Sequence, residues 1–308
     1  MMALRAHTRG GPEVLVYESA PRPAPGSGDA LVAVHAAAIT FAELTWPETW
    51  TSGGADRTPI IPSHEFSGVV AEVGEGVTGL SAGDEVYGLA PFDRDGAAAE
   101  YVSTPVTSVA ARPRTVSHVA AAAAALPALT AWEALVEHAA VKRGQRVLVH
   151  GGAGGVGSFV TQLAVALGAR VTCTAHSPDV AYVLGLGAER VIDAESLDAE
   201  KGVFDAVVDA VGQDTPEGLF AALHRGGHLI TLQEPPAQEL ADRYGVTALF
   251  FIVAANQDCL IQLADMIDTG RLKSNVAATF PLAEGRAAYE SGAVRRRHPG
   301  KTVLVVRD

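Results

Sequence analysis

Cysteine is scarce in this sequence. Only Cys173 and Cys259 occur, the first in a β-branched run and the second in an amphipathic one. Neither a disulfide framework nor a C-x-x-C metal site can be built from them. Long apolar runs are missing as well. Nowhere do about 18 apolar residues follow one another without a charge or a turn former, so no membrane-spanning helix is expected. The opening residues, MMALRAHTRGGPEV, lack the apolar stretch and cleavage pattern of a secretory leader. A reducing, cytoplasmic setting is the expectation. Positive charge is short, with 23 Lys and Arg against 35 Asp and Glu and a net charge of −12. That balance argues against nucleic acid or an anionic membrane as partner. An anionic ligand would have to be held by backbone dipoles and a few local donors. Disorder is excluded by composition, since 48% of residues are hydrophobic and 19% charged. The 308 residues suffice for two domains, each with its own core.

What is present is organised around the stretch from Arg146 to Ser177, RVLVHGGAGGVGSFVTQLAVALGARVTCTAHS. A short apolar run, Val147 to Val149, leads into a glycine cluster. A helical segment from Ser158 to Leu167 follows, ended by Gly168, and then a second β-branched run from Val171 to Thr174. Strand, turn, helix and strand in about 30 residues make one βαβ unit. Gly152, Gly154 and Gly157 match G-x-G-x-x-G. They serve the sharp turn, the close approach of backbone to a pyrophosphate, and tight helix packing, respectively. The amides of Gly154, Gly155, Val156 and Gly157 then face an anion at the helix N-terminus. NAD-binding units place an acid at the end of the second strand for the ribose 2′-hydroxyl. Here that place reads Ala175-His176-Ser177-Pro178. His176 and Ser177 offer donors to a 2′-phosphate, which favours NADP(H). No Arg or Lys follows, Asp179 is close, and the strictness of the choice stays open.

Residues 1–115 read as β-rich, with short runs between Gly/Pro punctuation, the pattern of a small barrel. The segment from Trp46 to Pro62 has no clear period and reads as a long loop. From Ser117 an alanine-rich helix is expected through Ala125, broken at Pro127, with a second helix from Thr130 to His138. Beyond the βαβ unit the alternation continues through Val191 to Asp193, Phe204 to Asp209, a helix near Thr215 to His224, and Gly227 to Leu232. This predicts a doubly wound parallel sheet. Val246 to Val253 is a further strand at an edge, and an unpaired apolar edge predicts a homodimer through it. Asn256 to Thr269 reads as an amphipathic helix stopped by Gly270. The terminal strand, Lys301 to Arg307, is expected to rejoin the first domain. The expected fold class is α/β, with residues 1–118 and 272–308 forming a barrel and residues 119–271 a Rossmann domain.

The run HGGAGGVGS from His150 to Ser158, with LPALTAWEAL from Leu126 upstream, resembles the medium-chain dehydrogenase/reductase superfamily. It is similar in particular to the zinc-independent quinone oxidoreductase branch, the ζ-crystallin-like reductases. GPEVL from Gly11, PSHEFSGVVAEVG from Pro62, GDEVYG from Gly83, Leu186-Gly187-Ala188 and Gly300-Lys301 fall in the order this resemblance requires. The resemblance implies a GroES-like catalytic barrel and a Rossmann domain with the cofactor in the cleft between them. It also implies hydride transfer from NADPH to a quinone or an α,β-unsaturated carbonyl. Zinc-dependent relatives have a cysteine where Thr40 stands, and Ser63-His64-Glu65 resembles the Gly-His-Glu motif that supplies their zinc histidine. Catalytic zinc takes three protein ligands, and His64 with Glu65 makes a poor set, so no metal is expected. His64 then reads as a structurally hydrogen-bonded histidine.

By family position, Thr40 and Thr130 are the candidate donors to the substrate oxyanion. Glu43 is either a holder of Thr40 or of a water, or an ordinary capping or salt-bridged carboxylate. Trp46 and Trp50 occupy a loop where relatives place tyrosine. They either wall a flat apolar pocket or pack the loop onto the barrel. Ligands of open α/β sheets bind beyond the carboxyl ends of the strands. That adds Val211, Gly212, Leu232, Phe250, Phe251 and Val253 as cofactor contacts, and Lys301 is added by analogy as a phosphate contact. Two other readings remain: an enoyl reductase of a biosynthetic pathway, and a non-catalytic NADPH-binding protein.

Overall fold

The computed structural model describes residues 1–212, 216–293 and 298–307. Thr215, expected to open a helix, lies outside the described residues, and that helix runs Glu217–Ala222. The chain divides into two compact units. One comprises Met1–Leu126, Ala254–Gly270 and Ser274–Asp308, and the other Pro127–Val253 with Arg271–Lys273.

The second unit is built on a parallel sheet. Its strands lie in the order Arg190–Ile192, Arg170–Thr174, Arg146–His150, Phe204–Asp209, Leu223–Thr231, Thr247–Phe250. Every neighbouring pair is parallel. The central strands are apolar on both faces because helices cover both, and Val147, Leu148, Val149, Val207, Leu229 and Ile230 have no exposed surface. The chain first builds outward from Arg146–His150 and then returns to its other side at Phe204–Asp209. The strand order therefore reverses between these two, and such a reversal opens a crevice at their carboxyl ends. Thr247–Phe250 is the edge strand.

In the first unit the organising strand is Asp29–Ile39. One of its edges bonds to Glu65–Val73 throughout. Its other edge is shared by two strands, Tyr101–Pro105 against residues 29–33 and Lys301–Val305 against residues 36–39. Irregularities at Leu31/Val32 and Val34/Ala36 bend the strand so that one sheet can curl around a core that includes Leu4, Val34, Ile39, Phe66 and Leu304. The terminal strand lies in this sheet, antiparallel to Asp29–Ile39.

Three local expectations are corrected. Pro127 does not end its helix, which runs His118–Trp132 and continues as a π-helix over Glu133–His138. An interior proline costs about 3 kcal/mol. The complete burial of Ala121 through Ala125 offsets it. The stretch 118–138 is long and apolar enough to cross a membrane by length and composition, yet 72% of its apolar window is buried, so it serves as a core helix. The segment from Trp46 is not structureless. It forms the helical turn Pro47–Trp50 and a small hairpin of Thr51–Ser52 with Ala55–Asp56. Arg57 anchors it by donating to the carbonyls of Thr49 and Phe92 at 3.2 and 2.9 Å. Finally, the helix Gln257–Asp268, expected with the Rossmann domain, groups with the first unit. Asn256 caps it through Oδ1 to the Cys259 amide, and the buried Tyr87 hydroxyl donates to the Leu260 carbonyl at 2.6 Å.

Candidate active site

The second unit holds a cradle for a diphosphate. After Arg146–His150 the chain turns at Gly151, whose φ is +86°, and the helix Gly155–Ala166 begins with Gly154 as its cap. The first bond of this helix is donated by the Ser158 amide to Gly154. The amides of Gly155, Val156 and Gly157 precede it and are directed out of the helix end. Each glycine has a separate steric reason. A Cβ on Gly152 would meet Cys173 Sγ at 2.9 Å. A Cβ on Gly157 would stand 2.1 Å from the Gly151 carbonyl oxygen. On Gly154 it would meet only that same oxygen, at 3.3 Å, so the space beside Gly154 is open to a ligand. The turn itself belongs to Gly151, a residue outside the G-x-G-x-x-G register. A loop of bare amides with room against it suits a nicotinamide dinucleotide.

Beneath this loop lies a polar network that the sequence reading missed. Thr174 Oγ1 accepts from the Gly151 amide at 2.9 Å and contacts His150 Nδ1 at 2.8 Å. His150 is paired in register with Asp209 on the next strand. Burial holds the imidazole below its usual range, against the pull of the Asp209 carboxylate. Asp209 Oδ1 accepts from the amides of Val211 and Gly212 at 3.0 and 3.2 Å, which sets the turn that presents those two residues. Val211, Gly212 and Leu232 leave the sheet at its carboxyl edge, followed by Phe250, Phe251 and Val253. His176 and Ser177 stand exposed where Arg170–Thr174 ends.

The first unit contains a buried charged cluster. Lys301 Nζ lies 2.6 Å from Glu65 Oε1 and 2.9 Å from Thr40 Oγ1, and Thr40 donates to the same carboxylate oxygen at 3.0 Å. Lys301 and Glu65 are 7% and 1% exposed, whereas Thr40 is half-buried. The strand Lys301–Val305 lies beside Asp29–Ile39, which in turn pairs with Glu65–Val73, so the sheet itself delivers the three side chains. Lys301 was expected to contact a cofactor phosphate. Its ammonium is instead committed to Glu65, because a buried carboxylate without a counter-charge would be costly.

Beside this lies a second acid, Glu43, which holds neither Thr40 nor a surface partner. Its Oε1 accepts from the Tyr289 hydroxyl, and its Oε2 accepts from the Ser63 amide at 2.9 Å. Burial raises its pKa to about 7, with Tyr289 and Ser63 opposing the shift. Ser63 has a φ of +67°, a strained value for a residue with a side chain, and its hydroxyl is bound to the Ala38 carbonyl at 2.7 Å. His64 follows, with its ring against Phe92 and Nδ1 without a hydrogen-bond partner among the described residues. Burial pushes it down to about 3. The donor set fits zinc poorly. A hydroxyl stands in the thiolate position, and the carboxylate already carries an ammonium. No group of three or more His, Cys, Asp and Glu able to hold a metal occurs among the described residues.

The two tryptophans separate. Trp50 is 3% exposed and donates from Nε1 to the Leu44 carbonyl at 2.9 Å, which makes it part of the core that fastens the loop. Trp46 is half-buried and meets Phe92 edge-on at 5.7 Å. Phe92, which no sequence pattern singled out, therefore links Trp46 and His64 into one aromatic wall. Thr130 is buried in the helix His118–Trp132 and belongs to the other unit. Trp50→Ala is expected to cost about 3–5 kcal/mol of stability in chemical denaturation.

Two family models match the chain. One is described as an alcohol dehydrogenase GroES-like domain, over residues 26–114, and the other as a zinc-binding dehydrogenase, over residues 186–304. The chain is 30% identical over 289 residues to the mitochondrial NAD(P)H oxidoreductase RTN4IP1 of Danio rerio, covering 83% of this chain and 74% of that protein. It is 35% identical to 2-methylene-furan-3-one reductase of Solanum lycopersicum, over 73% of this chain and 58% of that one. Quinone oxidoreductase of Homo sapiens is 28% identical over 99% of this chain and 98% of its own length. Among solved structures, the quinone oxidoreductase of Coxiella burnetii superposes with a TM-score of 0.88 at 30% identity, covering 100% of this chain and 99% of that one. A mycobacterial protein complexed with NADPH gives a TM-score of 0.88 at 29% identity, over 99% and 100%. The cradle, the curled sheet and these relatives agree: the chain belongs to the medium-chain dehydrogenase/reductase family and is an oxidoreductase that works with a nicotinamide cofactor.

Proposed function

We propose that this protein is an NADPH-dependent reductase that delivers hydride to a quinone or an α,β-unsaturated carbonyl without zinc. The observation that carries this reading is the Thr40–Glu65–Lys301 cluster. It provides hydrogen-bond donors and a buried positive charge, but no thiolate for a metal. A nicotinamide cofactor supplies the hydride when bound. The protein's part is to orient the acceptor and to stabilise the negative charge that develops on its oxygen. Thr40, with Thr130 by family position, is the donor to that oxygen. The printed names of relatives, a furanone reductase and quinone oxidoreductases, support this acceptor class.

NADPH is preferred over NADH on this reading because His176 and Ser177 replace an acid at the strand end and leave a 2′-phosphate unrepelled. The NADPH-complexed neighbour supports it. Dimerisation through the exposed edge of Thr247–Phe250 belongs to the same proposal.

The test is spectrophotometric. Purified protein stripped of metal should oxidise NADPH in the presence of a quinone or a conjugated enone, and added zinc should not raise the rate. Tight NADPH binding with no turnover on either panel would overturn the proposal. Trp46 gives a finer check on the acceptor site. Trp46→Ala should raise KM for an aromatic quinone about tenfold with little change in kcat, the loss of one aromatic contact.

A further inference from the structure

We infer that Lys301 is the source of the proton that follows the hydride, and that it delivers it through the Thr40 hydroxyl. This rests on the proposed reduction of a conjugated carbonyl and specifies what the same cluster does there.

Thr40 has one hydroxyl hydrogen and two lone pairs. At rest that hydrogen points to Glu65 Oε1, and one lone pair accepts from Lys301 Nζ at 2.9 Å. Glu65 Oε1 does not depend on Thr40, because Lys301 donates to it directly at 2.6 Å. The Thr40 hydroxyl can therefore rotate its hydrogen away without leaving a buried carboxylate bare. Exposure sets the direction of transfer. Lys301 and Glu65 are closed off from solvent and Thr40 is the half-buried end of the chain, so a molecule outside the cluster meets Thr40 first. Solvent has poor access to Lys301, which makes the ammonium a held proton and not one shared freely with bulk water.

Hydride forms the new C–H bond at the β-carbon, and the C=C electron pair moves to give an enolate. The enolate, whose oxygen the Thr40 hydroxyl holds while the hydride arrives, then takes that hydroxyl's hydrogen at its α-carbon. Lys301 restores the proton to Thr40 as the oxygen gives up its own, and the neutral amine left behind stays hydrogen-bonded to Glu65. Solvent later recharges Lys301. The acceptor gains two electrons and one proton beyond the hydride's own nucleus, and the dihydronicotinamide is oxidised. No metal and no further oxidant is required. A fixed donor also makes the α-proton arrive on one face, which a proton from bulk water would not.

The test is the stereochemistry of reduction in D₂O with a cyclic enone substituted at the α-carbon. Wild-type protein should place α-deuterium on a single face. Thr40→Val and the charge-balanced pair Lys301→Met/Glu65→Gln should lose facial selectivity and fall about 100-fold in kcat, the size of a lost general acid. Thr40→Ser, which keeps the hydroxyl, should restore both. Thermal denaturation and NADPH titration show that the variants are folded and loaded.

A second measurement needs no cofactor. A nitrophenol serves as a stable enolate mimic. Wild-type protein should shift the bound phenol toward phenolate, seen in its absorption spectrum, whereas Thr40→Val and the double variant should not. Retained single-face protonation in a folded double variant would overturn the inference, as would an unchanged phenol spectrum in wild-type protein. Absence of any enone turnover in wild-type protein would instead count against the proposed function. The phenol measurement would then still decide whether Lys301 and Thr40 act as a donor pair.

Discussion

Gly157→Ala is expected to abolish cofactor binding and to lower the melting temperature, although it adds only one methyl group. The added Cβ would lie 2.1 Å from the Gly151 carbonyl oxygen and 3.2 Å from the Gly152 Cα. Both are backbone atoms, so no side chain can swing aside. Relief requires the helix Gly155–Ala166 to withdraw from the loop, which carries the amides of Gly155, Val156 and Gly157 away from a bound diphosphate. The loop cannot yield instead. Gly151 is fixed at φ +86° and tied to Thr174 through its amide. Fluorescence titration with NADPH should show affinity reduced at least about 100-fold, the scale at which several charge-assisted amide contacts are lost together. Gly154→Ala is the contrasting variant. Its Cβ has a single neighbour, at 3.3 Å, so the fold should persist while the methyl intrudes where the ligand comes closest. Lost affinity with an unchanged melting temperature in Gly154→Ala, and loss of both in Gly157→Ala, would show that the two glycines serve different ends. Unchanged NADPH affinity in Gly157→Ala would remove the loop from the site.

This contrast also marks what could be read from the chain alone. The cradle was legible because its requirement is local. Bare amides, a tight turn and close helix packing each demand glycine within a few residues. Even so, the reading assigned the turn to Gly152, when Gly151 is the residue with positive φ. A glycine shows that a backbone is permitted to do something unusual, not which unusual thing it does. The parallel sheet was legible for the same reason, since fully buried strands read as apolar runs. The charged cluster was not. Lys301 is 236 residues from Glu65 and 261 from Thr40, and Tyr289 is 246 from Glu43. No periodicity spans such separations. The resemblance marked Thr40 and Lys301 as residues of interest but did not name Glu65 as the buried partner of Lys301. Glu43, an acid inside the apolar stretch from Ile39 to Leu44, reads in sequence as a holder of Thr40 or of a water, or as a capping or salt-bridged carboxylate, and its buried partner Tyr289 lies beyond any such local reading. Of the two alternatives for the tryptophans, Trp50 takes the packing one. Two aromatics four apart look alike in sequence, and only the short helix Pro47–Trp50 decides that one turns inward.

Glu43 and His64 are expected to tilt the pH dependence of stability in opposite directions, and single substitutions should expose each. His64 is buried and its folded pKa is about 3, against 6.5 as the ordinary value. Between those limits the unfolded chain binds a proton that the folded chain refuses, so stability falls as pH drops below 6.5. Glu43 has a folded pKa of about 7 against 4.5. Between 4.5 and 7 the folded chain holds a proton that the unfolded chain has released, so stability falls as pH rises through that window. Each group contributes a slope of about 1.4 kcal/mol per pH unit, and between pH 4.5 and 6.5 the two slopes cancel. His118, held down to about 4 by burial and by His35 and Arg112, adds a slope of the same sign as His64 over the narrower range between 4 and 6.5, common to all the variants. Glu43→Gln keeps an acceptor for the Ser63 amide and can donate to the Tyr289 oxygen, so the contacts survive while the titration disappears. Relative to wild type its unfolding free energy should climb with pH by about 1.4 kcal/mol per unit between 4.5 and 6.5. His64→Leu, which fills the same place against Phe92 without titrating, should fall by a similar amount over the same range. The double variant should run parallel to wild type, offset but not tilted. Urea denaturation at half-unit steps of pH measures all four lines. Parallel lines for wild type and Glu43→Gln would mean that Glu43 is ionised over this range and that the Tyr289 and Ser63 hydrogen bonds, with the Lys301 charge, outweigh burial.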